Sequence, residues 1–126
     1  MATEKTILLA EDEEMLHLVA KKIIESMNYK VISAFNGEEA VSAYKENPSI
    51  DLVILDMKMP KMDGKEAFAL IKEINSEARI ILSSGLSADS EIEMILSSFP
   101  NTNFIQKPYR KALLAEMIQS ILGSNS

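Results

Sequence analysis

Short apolar runs rich in β-branched residues recur along the chain and are separated by longer segments of mixed polarity. The five runs are Ile7 to Ala10, Val31 to Phe35, Leu52 to Leu55, Ile80 to Leu82 and Phe104 to Ile105. Each run is typical of a β-strand. Because most of the runs lack alternation between apolar and polar residues, we expect strands that are buried on both faces of a parallel sheet.

The segments between the runs carry apolar residues every three or four positions, which predicts amphipathic helices. In the first segment this apolar stripe comprises Leu16, Val19, Ala20, Ile23 and Met27. His17 falls on the polar face of the same helix, and we expect it to be solvated. Similar stripes follow the other strands, so the order of strand and then helix occurs five times.

Helix-start signals agree with these boundaries. Asn36-Gly37 forms the turn from the second strand into a helix, and Asp63-Gly64 offers a cap for the third helix. Ser90 followed by Glu93 predicts a capping box at the start of the fourth helix. Because crossovers between parallel strands are right-handed, five such units predict a doubly wound α/β fold, a five-stranded parallel sheet with helices on both faces.

The length of 126 residues and the hydrophobic content of 47% fit one domain with a real core. We assign this domain to residues 1–126, with a core of about residues 5–122 and a polar C-terminal tail at 123–126. No apolar run approaches the roughly 18 to 20 residues that span a bilayer. We therefore expect a cytoplasmic protein without membrane insertion.

Charge and cysteine content narrow the classes of partner. The formal net charge of -6 argues against direct binding of nucleic acid or anionic lipid, because both would require neutralisation of phosphates. Proteins and cations are the partners we expect. The chain has no cysteine, so disulfides, thiolate metal sites and thiol chemistry are excluded.

Acidic, hydroxyl and cationic residues follow four of the predicted strands. They are Glu11, Asp12 and Glu13 after the first strand, Asp56 at the end of the third, Ser83-Ser84-Gly85 at the end of the fourth, and Lys107-Pro108 after the fifth. In an open α/β sheet, ligands bind outside the carboxyl ends of the strands, near the point where the strand order reverses. We therefore expect these side chains to share one crevice.

The chemistry of this set points to phosphoryl transfer. The carboxylates of Glu11, Asp12 and Asp56 would repel one another unless a cation compensated them, and Mg²⁺ prefers a few carboxylates together with waters and a phosphate oxygen. Asp56 closes a buried strand and is the best nucleophile, which would form an aspartyl-phosphate. Lys107 and the Ser84 hydroxyl would then bind phosphoryl oxygens. Mn²⁺ is the alternative ion.

Four segments, ILLAEDEE, DLVILDMKMPKMDG, IILSSG and FIQKP, resemble the motifs of response-regulator receiver domains, and the resemblance covers essentially the whole chain. It implies a flavodoxin-like (βα)5 fold with strand order 2-1-3-4-5. It also implies a phosphoacceptor domain of a two-component phosphorelay that catalyses only its own phosphorylation and dephosphorylation. The implied phosphodonor is a histidine kinase or a histidine phosphotransfer protein, and the implied target is a downstream protein or output domain. Members of the family often pair on activation, which leaves a monomer and a homodimer both open for this chain.

The resemblance also implies roles for individual residues in binding the metal ion. Asp12 and Asp56 would bind Mg²⁺ directly, Glu11 would act through a water, and the backbone carbonyl of Lys58 would complete the protein ligands. Glu11 departs from the aspartate that is common in the family, and we expect the ligand set to survive with a shifted water.

Other roles implied by the resemblance concern the switch and the lifetime of the phosphoryl group. The conserved hydroxyl falls on Ser84, with Ser83 as a close rival, and a cis peptide is expected between Lys107 and Pro108.

Phosphorylation would draw Ser84 inward and let Phe104 bury itself, which would reshape the surface of the fourth helix, fifth strand and fifth helix. Phe104 is equally compatible with a plain strand aromatic. Lys58 and Leu86 occupy the positions that tune dephosphorylation, and because neither carries a carboxylate or amide, we expect slow self-hydrolysis. We interpret Asp63 and Gly64 as a structural cap and turn.

Three other functions remain open. An aspartate-based phosphatase similar to the haloacid dehalogenase family would carry a second aspartate two residues after the nucleophile, where this chain has Lys58. A nucleotide or flavin binder would need a phosphate-accepting loop after the first strand, where Glu11 to Glu13 would repel phosphates. A pseudo-receiver would bind partners without phosphorylation, which the complete set of acids, hydroxyl and lysine disfavours.

Overall fold

The computed structural model describes residues 5–123, which form five strands and five helices in strict alternation. The strands are β1 (Thr6–Ala10), β2 (Lys30–Ala34), β3 (Leu52–Asp56), β4 (Ile80–Ser84) and β5 (Thr102–Gln106). The helices are α1 (Glu14–Ser26), α2 (Gly37–Glu46), α3 (Gly64–Ile74), α4 (Ser90–Ser98) and α5 (Lys111–Leu122). Apart from Gly123, the predicted polar tail lies outside the described residues.

All neighbouring strands are parallel, and the order across the sheet is β2-β1-β3-β4-β5. This order confirms the predicted flavodoxin-like topology. The chain runs outward from β1 to β2 and then crosses back to β3 on the other side of β1. The strand order therefore reverses between β1 and β3, and a crevice opens beyond their carboxyl ends.

Each face of the sheet has its own hydrophobic core. One core packs α2 and α3 against residues such as Leu8 and Leu55, and the other packs α1 and α5 against residues such as Leu9 and Ile54. Successive residues of β1, β3 and β4 point to opposite cores, which is why these strands are apolar almost throughout. The edge strands β2 and β5 are only partly buried.

Helix starts agree with the predictions at two of three positions. The side chains of Asn36 and Asp63 accept hydrogen bonds from backbone N–H groups of the first turns of α2 and α3. The predicted capping box at Ser90 was wrong, because Ser90 is already the first helical residue of α4. Asp89 has the extended backbone of an N-cap, and its carboxylate accepts from the Ile92 N–H at 2.9 Å.

Among residues 5–123, no helix combines the length and the apolar character that crossing a membrane requires.

Candidate functional site

A cavity of about 560 Å³ opens at the carboxyl ends of β1, β3, β4 and β5. The predicted site residues that line it are Asp12, Asp56, Lys58, Ser84, Leu86, Lys107 and Pro108. The structure thus brings together residues from four strand ends that are far apart in the sequence.

Three carboxylates meet beside this cavity. Glu11, Asp12 and Asp56 each offer one oxygen, and these oxygens lie within 4.8 Å of one another. Glu11 and Asp56 are buried, with 0% and 2% of their surface exposed, whereas Asp12 is exposed. The Glu11 N–H donates to the carbonyl oxygen of Ala34 at 3.1 Å, so the backbone of Glu11 extends the pairing of β1 with β2 by one residue. Glu11 is fully buried and is not among the residues that line the cavity.

Lys107 faces two of these acids. Its Nζ donates to Asp56 Oδ2 at 2.9 Å and to Glu11 Oε1 at 3.1 Å. Its backbone N–H donates to the carbonyl oxygen of Ser84 at 2.7 Å, and the Lys107–Pro108 peptide bond is cis. Burial by itself would lower the pKa of Lys107, but the hydrogen bonds and charges of Asp56 and Glu11 raise it above its ordinary value. The lysine therefore remains cationic at neutral pH.

The site carries an excess of negative charge. Burial raises the pKa of Glu11, as does the charge of Asp56, and the hydrogen bonds from the Glu13 N–H and Lys107 only partly offset this. Three carboxylates face one ammonium group, so a formal charge of −2 remains when all are ionised. Hard oxygen ligands with this excess charge fit a divalent cation such as Mg²⁺, and the exposed carboxylate of Asp12 gives a hydrated ion access.

The two serines at the end of β4 lie in different environments. Ser84 lines the cavity, and its Oγ accepts from the Leu86 N–H at 3.1 Å. Ser83 is fully buried on the face that packs against α1 and α5, where its hydroxyl lies 3.2 Å from the hydroxyl of Tyr109. Burial raises the pKa of Tyr109 to about 12. Of the two rivals, Ser84 is therefore the one whose hydroxyl is at the cavity.

Of the remaining predicted residues, Lys58 and Leu86 line the cavity beside Asp56, and Phe104 does not. Lys58 is exposed, and its backbone N–H lies 3.3 Å from Asp56 Oδ1. Leu86 is 65% exposed. Phe104 is half-buried on β5, in register with Leu82, and packs against the core on the α2 and α3 face. Phe104 is not among the residues that line the cavity, so any effect of the site on Phe104 would have to pass through neighbouring residues of β4 or β5.

Gly64 allows the start of α3 to approach the backbone at the end of β3 closely. A Cβ atom at this position would lie 2.3 Å from the carbonyl oxygen of Asp56, which is closer than any side chain tolerates. The Gly64 N–H also donates to the carbonyl oxygen of Met57 at 3.1 Å. The turn formed by Asp63 and Gly64 thus packs directly against the start of the loop that carries Lys58.

The expectation that His17 is solvated was wrong. The side chain is 4% exposed; its Nδ1 lies 2.9 Å from the carbonyl oxygen of Glu11 and its Nε2 lies 2.8 Å from Ser33 Oγ. Its ring stacks on Phe35, and burial lowers its pKa. The spacing of His17, Ala20 and Ile24, three and four residues apart, was the signal of this buried face.

The family described as the response regulator receiver domain matches residues 7–119 of this chain. The chain belongs to this family. Among curated relatives of this receiver domain, the chemotaxis protein CheY of Bacillus subtilis is 35% identical over 93% of this chain and 97% of its own length. The sensor kinase/phosphatase LuxN of Vibrio harveyi is 29% identical over 96% of this chain. That match spans only 14% of LuxN, so similar sequences occur both as nearly whole proteins and as parts of much larger ones.

Solved structures of receiver domains have a fold similar to that of this chain. CheY in the CheX-CheY-BeF3-Mg complex from Borrelia burgdorferi is 32% identical, with a TM-score of 0.86 over 94% of this chain and 89% of that chain. The receiver domain of the sensor histidine kinase PA1611 from Pseudomonas aeruginosa, solved with a magnesium ion in its active site cleft, is 25% identical. Its TM-score is 0.84 over 97% of this chain and all of that chain. These likenesses identify the domain as a CheY-like component of two-component signalling.

Proposed function

We propose that this receiver domain accepts a phosphoryl group on Asp56 in a reaction that requires Mg²⁺. The observation that supports this most strongly is the position of the Asp56 carboxylate, which lies between two further acids and the ammonium of Lys107 at 2.9 Å. A buried carboxylate has few purely structural reasons to sit at the end of an apolar strand. The proposed donor is the phosphohistidine of a histidine kinase or histidine phosphotransfer protein.

In the proposed reaction, a carboxylate oxygen of Asp56 attacks phosphorus, and the bond from phosphorus to the donor's histidine nitrogen breaks. Attack consumes the negative charge that Lys107 contacts, so its ammonium is free to pair with the incoming phosphoryl oxygens. Ser84 Oγ accepts from the Leu86 N–H, so its own O–H can donate to another phosphoryl oxygen. Lys107 would therefore offset the negative charge of the phosphoryl group, and Ser84 would help to orient it through a hydrogen bond.

The proposed ion would be held by Asp12 and Asp56 directly, by Glu11 through a water, and by the carbonyl oxygen of Lys58. When bound, it supplies positive charge beside the phosphoryl oxygens. The magnesium ion in the active site cleft of the PA1611 receiver domain supports this assignment. Mn²⁺ has similar ligand preferences and is the alternative ion.

We propose that the domain is not an enzyme with an external substrate and that its only catalysis is its own phosphorylation and dephosphorylation. A phosphatase built on Asp56 would need a general acid nearby to protonate the leaving group. Two residues after Asp56 the chain has Lys58, whose exposed side chain is a cation.

Acetyl phosphate labelling of the intact chain, followed by mass spectrometry, tests the acceptor. We expect wild type to gain one phosphoryl group with Mg²⁺ and none with EDTA, and Asp56→Asn to gain none. Asp63→Asn is the matched control, because it changes a carboxylate on the same loop while Asn keeps the N-cap, and it should be labelled like wild type. Full labelling of Asp56→Asn would refute the proposal.

The same labelled protein tests the proposed slow hydrolysis. Neither Lys58 nor the 65% exposed Leu86 offers an oxygen or amide that would orient an attacking water. We expect Leu86→Glu to lose the phosphoryl group several-fold faster than wild type, whereas Leu113→Glu, an exposed leucine on α5, should not change the rate. Equal lifetimes in wild type and Leu86→Glu would contradict this interpretation.

We propose that partners read the surface formed by α4, β5 and α5. The carbonyl oxygen of Ser84 accepts a hydrogen bond from the N–H of Lys107, which directly follows β5. Phe104 lies half-buried on β5, so movement of Ser84 toward a phosphoryl group would be transmitted to Phe104. This surface would contact a downstream protein or output domain, or a second copy of the chain.

Amide NMR spectra test the switch. With beryllofluoride and Mg²⁺ as a stable substitute for the phosphoryl group, we expect shifts across α4, β5 and α5 in wild type. In Ser84→Ala these distant shifts should shrink, while those of residues around Asp56 persist. A response confined to the cavity in wild type would exclude the switch.

A further inference from the structure

The carbonyl oxygen of Glu11 lies just beyond the end of the β1 ladder. The register of β1 with β2 ends at the pair of Ala10 and Ala34, and the Glu11 N–H uses the last acceptor, the carbonyl oxygen of Ala34. Glu11 is completely buried. A buried carbonyl group at this point needs a donor from outside the sheet.

His17 supplies that donor. Its Nδ1 lies 2.9 Å from the Glu11 carbonyl oxygen, and because a carbonyl oxygen only accepts, Nδ1 carries the hydrogen. The other ring nitrogen, Nε2, lies 2.8 Å from Ser33 Oγ on β2. The ring also stacks on Phe35, with centroids 4.2 Å apart and planes 19° apart. Three contacts thus fix the position and the plane of the imidazole.

The carbonyl that His17 holds belongs to the peptide that joins Glu11 to Asp12. A peptide unit is planar, so fixing the direction of the Glu11 carbonyl also fixes the direction in which the chain enters Asp12. The Glu11 carboxylate is held separately by Lys107 and by the Glu13 N–H. The exposed carboxylate of Asp12 has no such anchor of its own among the hydrogen bonds of residues 5–123, so its placement depends on its backbone.

We propose that His17 is a positioning residue for the cation site, and that its Nδ1–H orients the Glu11–Asp12 peptide so that the Asp12 carboxylate faces Asp56. This inference rests on the proposed function, because it assumes that Asp12 is a ligand of the divalent ion. Groups that orient metal ligands without touching the metal often affect metal affinity about 10-fold or more when they are replaced.

Two amide substitutions separate this role from a merely structural one. In His17→Asn the side-chain amide reaches the place of Nδ1 and keeps a donor for Glu11, but it loses the contact with Ser33. In His17→Gln the amide reaches the place of Nε2 and keeps a partner for Ser33, but it leaves the Glu11 carbonyl without a donor. Each variant loses one hydrogen bond of the ring and its stacking on Phe35, so both should be less stable than wild type, and the loss of the donor to Glu11 is specific to His17→Gln.

NMR titration of the full chain at neutral pH measures the affinity for Mg²⁺, and urea unfolding in EDTA measures the stability of each variant. We expect His17→Gln to weaken Mg²⁺ binding by about 10-fold, and His17→Asn and Ser33→Ala to stay close to wild type. Without Mg²⁺, the Asp12 amide signal should move in His17→Gln and stay in place in His17→Asn.

The Asp12→Asn variant distinguishes a failure of the proposed metal site from a failure of the proposed role of His17. If wild type binds Mg²⁺ and Asp12→Asn weakens binding while His17→Gln does not, the proposed site stands and the role of His17 is overturned. If His17→Asn, which keeps the donor to Glu11, weakens Mg²⁺ binding as much as His17→Gln does, His17 is structural only and the proposal is also overturned. If wild type binds no Mg²⁺, both proposals fall.

Discussion

At the scale of single residues, two largely buried lysines at opposite ends of the sheet are stabilised differently. Lys107 pairs with two carboxylates, whereas the Nζ of Lys72 donates to the carbonyl oxygens of Ala78 and Pro100 and lies 5.7 Å above the ring of Phe68. Among residues 5–123, no carboxylate forms an ion pair with Lys72. Burial therefore lowers the pKa of Lys72, and the charge of Glu77 only partly offsets this.

The lowered pKa of Lys72 predicts that the stability of the protein depends on pH through this residue. Because its pKa is lower in the folded than in the unfolded state, the unfolded chain binds more protons between the folded pKa and the ordinary value of 10.5. The free energy of unfolding of wild type, relative to Lys72→Met, should therefore rise as the pH increases through that interval. Urea unfolding from pH 7 upward measures this difference.

Lys22→Met is the matched control for that measurement, since it removes a positive charge from an exposed position. A difference between wild type and Lys72→Met that stays flat or falls with increasing pH would show that the two carbonyl groups compensate fully for the burial of the ammonium.

At the scale of secondary-structure elements, α4 is the helix least embedded in the fold. Ile92 is its only buried residue, whereas α3 has five. The start of α4 is linked to α3 by the ion pair of Lys65 and Glu91, which is exposed on both sides and so contributes little to stability. The hydrogen bond from the Ile92 N–H to Asp89 is thus a substantial part of what defines where α4 begins.

Removal of the Asp89 cap should destabilise the start of α4. Asp89→Ala should lower the free energy of unfolding by about 1 kcal/mol, because it leaves an N–H group of the first turn without its acceptor. Ser90→Ala should have little effect, and Asp89→Asn should retain most of the stability, because Asn is a comparable N-cap. Urea unfolding followed by circular dichroism measures all three. An equal loss in Ser90→Ala and Asp89→Ala would support the capping box instead.

At the scale of the whole molecule, the fold concentrates negative charge at one end of the sheet. Lys107 is 96 residues from Glu11 and 51 residues from Asp56 along the chain, and hydrogen bonds join it to both. The parallel alignment of three strand ends, those of β1, β3 and β5, brings these groups together. The folded state therefore creates a site that the unfolded chain lacks, and a cation that binds there should stabilise the fold.

Mg²⁺ should accordingly raise the stability of the whole domain. At a concentration 100 times the dissociation constant, the free energy of unfolding should increase by about 2.7 kcal/mol. Asp12→Asn should lose most of this increase, while its stability in EDTA should equal or exceed that of wild type because one repelling charge is gone. Thermal unfolding with NaCl at matched ionic strength is the control. An equal gain from Mg²⁺ in Asp12→Asn would place the ion elsewhere.

Local periodicity allowed much of this protein to be predicted from its sequence. The β1, β3 and β4 runs are apolar because both faces of each strand are buried, and the caps at Asn36 and Asp63 act within one helical turn. The residues lining the cavity were also predictable, because parallel strands place their carboxyl ends at one edge of a sheet. Each of these features depends on spacing within a short segment or on a general rule of topology.

What only the tertiary structure decided were choices between neighbouring positions. Ser83 and Ser84 are chemically identical, and both faces of β4 are buried, so the position of the strand in the sheet decides that Ser83 contacts Tyr109 and Ser84 lines the cavity. Asp89 or Ser90 can cap α4, and the backbone angles of a single residue select Asp89. His17 was assigned to the solvated face because its side chain is polar, although its spacing from Ala20 and Ile24 matches the buried face. Its burial depends on β2, which is distant in sequence and covers the side of α1 where His17 lies.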